Sequence, residues 1–211
     1  TARSRGLGDV YKRQMSDNQL IGLAEDFFQN SLDSSPTSAI MRGHKKYFDQ
    51  IEELTEDQFQ KEKETVDNFI QRLNAIEKDN LTSREQVTHG MLEFALSSNQ
   101  DSLLDRSWEF GAGVSGFTGF LIDYNQQMFV PDSESADMML KRLELYKRLY
   151  TQIAEVQKEG LNNNRVATER NLLRTIDQLE NYLASSLDQD PLLLVNFSPE
   201  ISDSELSLIH I

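Results

Sequence analysis

Apolar side chains recur at intervals of three and four residues along most of this chain, and this spacing constrains its fold more than any other feature. Leu20, Leu23, Ala24, Phe27 and Phe28 form one such stripe, which is typical of one face of a helix. Comparable stripes occupy residues 59–76, 87–96, 139–156 and 166–183. Because no convincing strand or internal repeat interrupts them, the sequence predicts an all-α protein built as an antiparallel helical bundle.

Start and stop signals divide this pattern into separate helices. Thr55 and Thr82 are each followed three residues later by Gln or Glu, the arrangement of a capping box. Pro36 predicts the first turn of a short helix, where its missing N–H does no harm. Gly160 is predicted to end the helix that starts near Ser133, as a left-handed cap just after Glu159.

The two ends of the chain match the two strands of one DNA element. One codon choice for residues 9–14, GATGTGTATAAGAGACAG, has the reverse complement CTGTCTCTTATACACATC, which encodes residues 206–211. We interpret residues 1–14 and 206–211 as derived from a sequencing adapter and exclude them from fold reasoning. The natural segment is then 15–205, and we expect it to continue beyond Glu205.

Composition excludes several classes of function. The chain has no cysteine, so it has no disulfide, no Cys-ligated metal site and no thiol nucleophile. Its net charge of −14 becomes −17 without residues 1–14, which carry four basic residues and one acidic residue. This charge argues against nucleic acid and anionic membrane surfaces as partners. No apolar run approaches the roughly 20 residues of a membrane span.

Location depends on where translation begins. If Met15 is the true start, we expect a cytoplasmic protein. If Met15 is internal, the location is open, because an upstream export signal would be missing from this chain.

One segment, residues 107–131, is rich in Gly and aromatic residues and poor in charge. It contains a G-x-G-x-x-G match at residues 111–116, but neither a buried strand nor an alternating βα pattern surrounds it, as dinucleotide binding requires. We favour a packing loop, with a pocket wall as the alternative. The residues of this possible cleft or packing loop are Trp108, Phe110, Gly111, Gly113, Gly116, Phe117 and Tyr124.

Titratable side chains give no clear catalytic or metal-binding set. Glu85 and His89 share a helix face, but zinc needs a third protein ligand. We interpret them as a surface or capping pair, and His44 as a loop histidine with satisfied hydrogen bonds. The carboxylates at 52, 53, 56 and 57 are predicted to be exposed and to favour helix N-termini. With no G-x-S-x-G, P-loop or H-E-x-x-H motif, we predict no catalytic, cofactor-binding or metal-binding residue in this segment.

Several short motifs nevertheless occur in a characteristic order. They are Leu23-Ala-Glu-Asp-Phe-Phe, Ser35-Pro36, Gly43-His44-x-x-Tyr47-x-Asp49, Leu73-Asn-Ala-Ile76, Arg142-Leu143, Glu159-Gly160-Leu161, Arg165-Val166 and Gln178-Leu179-Glu180. In order and spacing they resemble the bacterial family called domain of unknown function 885, over most of 20–195. The chain departs from that family in its Gly-rich 111–119 segment and in lacking the proline that often follows the Arg-Leu pair.

The resemblance implies a parent protein two to three times longer, an α-helical zinc peptidase of the gluzincin type. Its zinc motif, H-E-x-x-G-H in form, would lie far toward the C-terminus, so no catalytic residue carries over to this chain. The expected partners are the remainder of the polypeptide and, in the parent, a peptide substrate; zinc is expected only in the parent. The alternatives are a non-enzymatic helical interaction module and a small-molecule-binding bundle that uses residues 107–131.

Overall fold

The computed structural model describes residues 19–110, 124, 127–190, 195–199 and 201. The proposed adapter segments, 1–14 and 206–211, lie outside these residues. The described part is all-α apart from one very short strand pair, which confirms the predicted fold class. The helices are α1 (19–33), α2 (Pro36–Met41), α3 (Glu56–Asn74), α4 (Ser83–Asp105), α5 (Ser133–Asn162) and α6 (Glu169–Ala184). Single turns of 3-10 helix lie at Lys45–Tyr47, Lys78–Asn80, Ser107–Phe110 and Leu187–Gln189.

The chain divides into two compact units, and the first contains α1 up to Ser31 together with Glu56–Arg106. Here α3 and α4 run antiparallel, because Asp67 accepts a hydrogen bond from Gln100 while Lys78, just beyond α3, pairs with Glu93. Their facing stripes form a core with the start of α1, as the periodicity predicts. This core contains Leu20, Leu23, Val66, Phe69, Leu73, Ile76, Leu81, Leu92 and Leu96.

The second unit contains Leu32–Thr55 and the described residues from Ser107 onward. Two apolar clusters fill it, and the long helix α5 contributes to both. One cluster contains Leu32, Ala39, Ile40, Tyr47, Phe48, Met128, Val130, Ala136, Met139 and Ile201. The other contains Ile51, Tyr146, Leu149 and Ile153.

Within the described residues, a two-residue strand pair departs from the helical prediction. Strands β1 (Phe129–Val130) and β2 (Asn196–Phe197) pair in parallel, with Phe129 opposite Asn196. Two residues are too few for an alternating pattern to be visible. The pair joins the last described residues to the core beside Val130, which is fully buried.

Helix ends follow the sequence signals at the starts of α4 and α5 but not at the end of α5. Thr82 and Glu85 form the predicted capping box. The predicted cap at Gly160 is wrong, because α5 continues to Asn162 and the left-handed residue is Asn164, with φ of 57°. The N–H of Arg165 donates to the Gly160 carbonyl at 2.8 Å, and that of Asn164 to the carbonyl of residue 161 at 3.2 Å. This is a Schellman ending.

Within the described residues, none of the helices combines the length and the apolar character that a membrane crossing requires.

Candidate functional site

The aromatic and Gly-rich candidate segment is only partly described. Gly111, Gly113, Gly116 and Phe117 lie outside the described residues, so the predicted cleft or packing loop is untested there. Trp108 and Phe110 lie on the 3-10 turn Ser107–Phe110, with Trp108 half-buried and Phe110 exposed. Tyr124 is also half-buried.

Between those two aromatic residues lies Glu109, which sequence reasoning missed. Its side chain is fully buried and forms an ion pair with the Arg165 guanidinium. The Glu109 backbone presses against α5 at Gly160, where an added Cβ would lie 2.7 Å from the Glu109 carbonyl oxygen. Burying a carboxylate is costly unless it is paired, so the ion pair with Arg165 stabilises this packing. The only sequence signal for this contact was that Gly160 and Arg165 lie in the Glu-Gly-Leu and Arg-Val motifs of the resemblance.

A second buried polar group connects three segments of the second unit. The Arg142 guanidinium, with no exposed surface, donates to the Thr37 hydroxyl at 2.5 Å and to the backbone carbonyl of Gln50. The Thr37 hydroxyl donates in turn to the Glu52 carboxylate at 2.7 Å, and the Thr37 N–H donates to the same carboxylate at 2.9 Å. Glu52 therefore caps the first turn of α2 and is buried, so its predicted exposure is wrong. The capping residue lies 15 residues downstream of Thr37, which is too far for a local sequence pattern to indicate.

The two histidines of the natural segment do not come together with other ligands. His89 is 2% exposed, and neither of its ring nitrogens has a hydrogen-bond partner within the described structure. Its predicted surface position is wrong, because it lies on the buried side of α4 with Leu92. Glu85 accepts a hydrogen bond from the Thr82 N–H at 2.6 Å, so it serves the capping box. His44 packs edge-on to Tyr47. The described residues contain no group of three side chains suited to a metal ion.

Two tyrosines of the second unit have raised pKa values. Tyr182 donates a hydrogen bond to Asp190 at 2.9 Å, and burial together with that bond raises the pKa of Tyr182 to about 12. Burial also raises the pKa of Tyr150 above its ordinary value. Both phenols are therefore neutral near pH 7, which does not favour a role as general bases.

The most unusual surface of the first unit is the open side of α4. Val87, Met91 and Phe94 are 62%, 68% and 77% exposed, and their spacing puts them on one face. Leu92 and Leu96 on the opposite face are buried in the core. α4 is therefore apolar on two sides, although the described part of the chain covers only one of them.

Helix α6 presents a similar surface in the second unit. Leu172, Ile176 and Leu183 are 39%, 49% and 79% exposed, and Thr175 is the one buried residue of the helix. Apolar residues scattered singly over a surface are ordinary, whereas rows of them mark interaction sites. The candidate functional features of the described chain are therefore these two surfaces rather than a catalytic cluster.

Comparison with known proteins gives one match. A family model described as "Bacterial protein of unknown function (DUF885)" matches residues 36–206. No curated protein and no solved structure matches the chain. The matched range includes Arg142, Gly160 and Arg165, which also belong to the motifs singled out in the sequence. Arg142 and Arg165 are members of the two buried polar groups, and Gly160 packs against Glu109.

Proposed function

Because the chain belongs to the DUF885 family of bacterial proteins of unknown function, we propose that it is the N-terminal helical part of a zinc-dependent peptidase and is inactive on its own. The resemblance noted in the sequence supports the peptidase chemistry. On this proposal, residues 15–205 support a metal-binding part that lies further along the polypeptide and receives the peptide substrate.

The observation that carries this proposal is the two-sided apolar character of α4. A helix with apolar residues on two opposite sides can bury both of them only if it is packed between other elements. Leaving Met91 and Phe94 in water forfeits about 1.5–3 kcal/mol for each side chain that could otherwise be buried. The exposed face therefore favours a chain that functions with further protein packed against it.

The described residues do not fit a zinc site, so no step of peptide hydrolysis is assigned to them. Zinc in a peptidase requires three protein ligands around one open position. His89 is enclosed in the core of the first unit, and His44 packs on Tyr47 in the second unit. Neither histidine lies in a group of three potential ligands among the residues described.

The first experiment is to extend the coding DNA past the codon for Glu205. The proposal expects a downstream helix with a His-Glu-x-x-Gly-His or similar motif. A stop codon soon after Glu205 would overturn it and would favour the alternative, a complete helical interaction module.

The second experiment compares zinc content and activity. Purified residues 15–205 should hold no stoichiometric zinc by elemental analysis, whereas the extended protein should hold one ion and lose peptidase activity on chelation. Stoichiometric zinc in residues 15–205 would refute the assignment of the metal to the missing part.

The exposed α4 face equally suits the interaction-module alternative, which has no metal and no hydrolytic activity at any length. The small-molecule-binding alternative depends on residues 107–131, and all four glycines of that segment lie outside the described residues. Zinc and hydrolytic activity in the extended protein therefore separate the proposal from both alternatives.

A further inference from the structure

Helix α6 has the surface pattern of one half of a helix pair. Leu172, Ile176, Leu179 and Leu183 follow one another at intervals of four, three and four residues, which is the spacing of a seam between two packed helices. Leu179 is half-buried, and the other three are exposed. The seam extends over about three turns, and the described part of the chain covers it only in part.

The charges beside this seam have one sign. At 100° per residue, Glu169 and Glu180 lie along its open edge, three turns apart. Arg170 and Arg174 fall on the opposite side of the helix. Thr175 lies on the other edge of the seam, where it is buried. The accessible border is therefore acidic, on a chain whose net charge is −14.

Charge complementarity selects among the possible occupants. A second copy of the chain would bring the same acidic border and a further fourteen negative charges toward the seam. An anionic membrane would be repelled for the same reason. A helix with an apolar seam and Lys or Arg beside it would bury the leucines and pair with both glutamates.

We propose that α6 is the docking site for an amphipathic helix with basic flanking residues, supplied by the larger polypeptide. The source of this helix rests on the proposed function, whereas its chemistry rests on the α6 surface alone. Docking would cover Leu172, Ile176 and Leu183 and place basic side chains opposite Glu169 and Glu180.

The experiment uses two synthetic helical peptides with the same leucine seam, one flanked by lysines and the other by glutamates. Fluorescence anisotropy with the full chain should show tighter binding of the lysine peptide, by on the order of tenfold. Ile176→Asp should abolish binding, whereas Asn181→Asp on the opposite side of α6 should leave it unchanged.

A charge-matched pair of variants isolates the acidic border. Glu169→Lys with Glu180→Lys should reverse the preference between the peptides. Glu144→Lys with Glu155→Lys, two exposed sites on α5, changes the net charge equally and should preserve the preference. Equal binding of both peptides, binding of neither, or reversal by the control pair would overturn the proposal. So would self-association of the chain at pH 7.5 and low salt, or binding to anionic vesicles under the same conditions, that Ile176→Asp abolishes.

The extended coding sequence tests the source separately. A basic amphipathic helix should be encoded downstream, and its deletion from the extended protein should expose α6 to hydrogen exchange. If such a helix is present but no zinc motif follows, the peptidase proposal fails while the docking proposal stands. A zinc motif without any such helix would overturn the docking proposal alone.

Discussion

Position 160 requires glycine because neighbouring atoms leave no room for a side chain, and not because of its backbone angles. An added Cβ would lie 2.6 Å from the Arg165 carbonyl oxygen and 2.9 Å from the Glu109 Cβ. Neither atom is the free end of a flexible side chain, so the backbone itself would have to move. The glycine thus permits the turn that carries Glu109 to approach α5 closely enough for Glu109 and Arg165 to pair.

Gly160→Ala should therefore destabilise the protein by about 1–3 kcal/mol, although alanine favours helix by about 1 kcal/mol. Gly90→Ala is the matched control, since a Cβ at that position in α4 meets nothing within 4 Å. The control should stabilise its helix by about 0.5–1 kcal/mol. Urea unfolding followed by circular dichroism measures both, and effects of the same sign would contradict this account.

The Thr37 hydroxyl is the single group between the buried Arg142 and Glu52. It accepts from one and donates to the other, so no water or second side chain is needed. Thr37→Val keeps the shape of the side chain but leaves both charged groups short of a partner. We expect a loss of about 2–5 kcal/mol in the free energy of unfolding.

Thr37→Ser is the control for this change, because it keeps the hydroxyl and removes one methyl group. It should cost about 1 kcal/mol. If the serine and valine variants unfold at the same urea concentration, the hydroxyl bridge does not hold these segments together.

At the scale of elements, α5 begins at a carboxylate that has two partners. Asp132 accepts the N–H of Ser135 at 2.9 Å and the Lys45 ammonium at 2.5 Å. The Lys45 hydrogen bond, followed by those from Ser135, lowers the pKa of Asp132 to about 2 from an ordinary 3.8. The stabilisation from this cap is therefore complete above about pH 3.8 and disappears as the pH falls through about 2.

An NMR titration of the Asp132 carboxyl carbon should accordingly give a midpoint near pH 2. Lys45→Met should raise that midpoint without restoring 3.8, because the Ser135 bonds remain. Lys46→Met, at the neighbouring exposed lysine that instead pairs with Asp33, is the control and should leave it unchanged. A midpoint near 3.8 in the unsubstituted protein would exclude the cap described.

The elements also show what sequence could predict. The helices and the α4 capping box were predictable because local periodicity and caps extend over one to four residues. The α2 cap from Glu52, the Arg142 bridge and the close approach at Gly160 join segments 15 to 105 residues apart, and a single sequence carries no signal of that pairing. The predicted stripe at 87–96 has no direction, because Val87, Met91 and Leu92 are all apolar and only packing in the core separates the exposed from the buried.

Over the whole molecule, like charge and exposed apolar surface act against each other. The net charge of −14 opposes contact between chains near pH 7, while the open faces of α4 and α6 favour it. As the pH falls toward the isoelectric point of about 4.6, the repulsion disappears and the apolar faces remain. Association should therefore begin well above the pH at which the Asp132 cap is lost.

Light scattering between pH 7.5 and 4.6, with circular dichroism to confirm that the helices persist, tests this expectation. The unsubstituted chain should associate as the pH falls, and salt at neutral pH should also promote association by screening the repulsion. The double variant Phe94→Ser, Ile176→Ser should stay dispersed to lower pH. It carries the same net charge at every pH, so any difference arises from the apolar faces. Identical scattering curves would mean that these faces do not drive association, and would remove the main physical support for a partner at either surface.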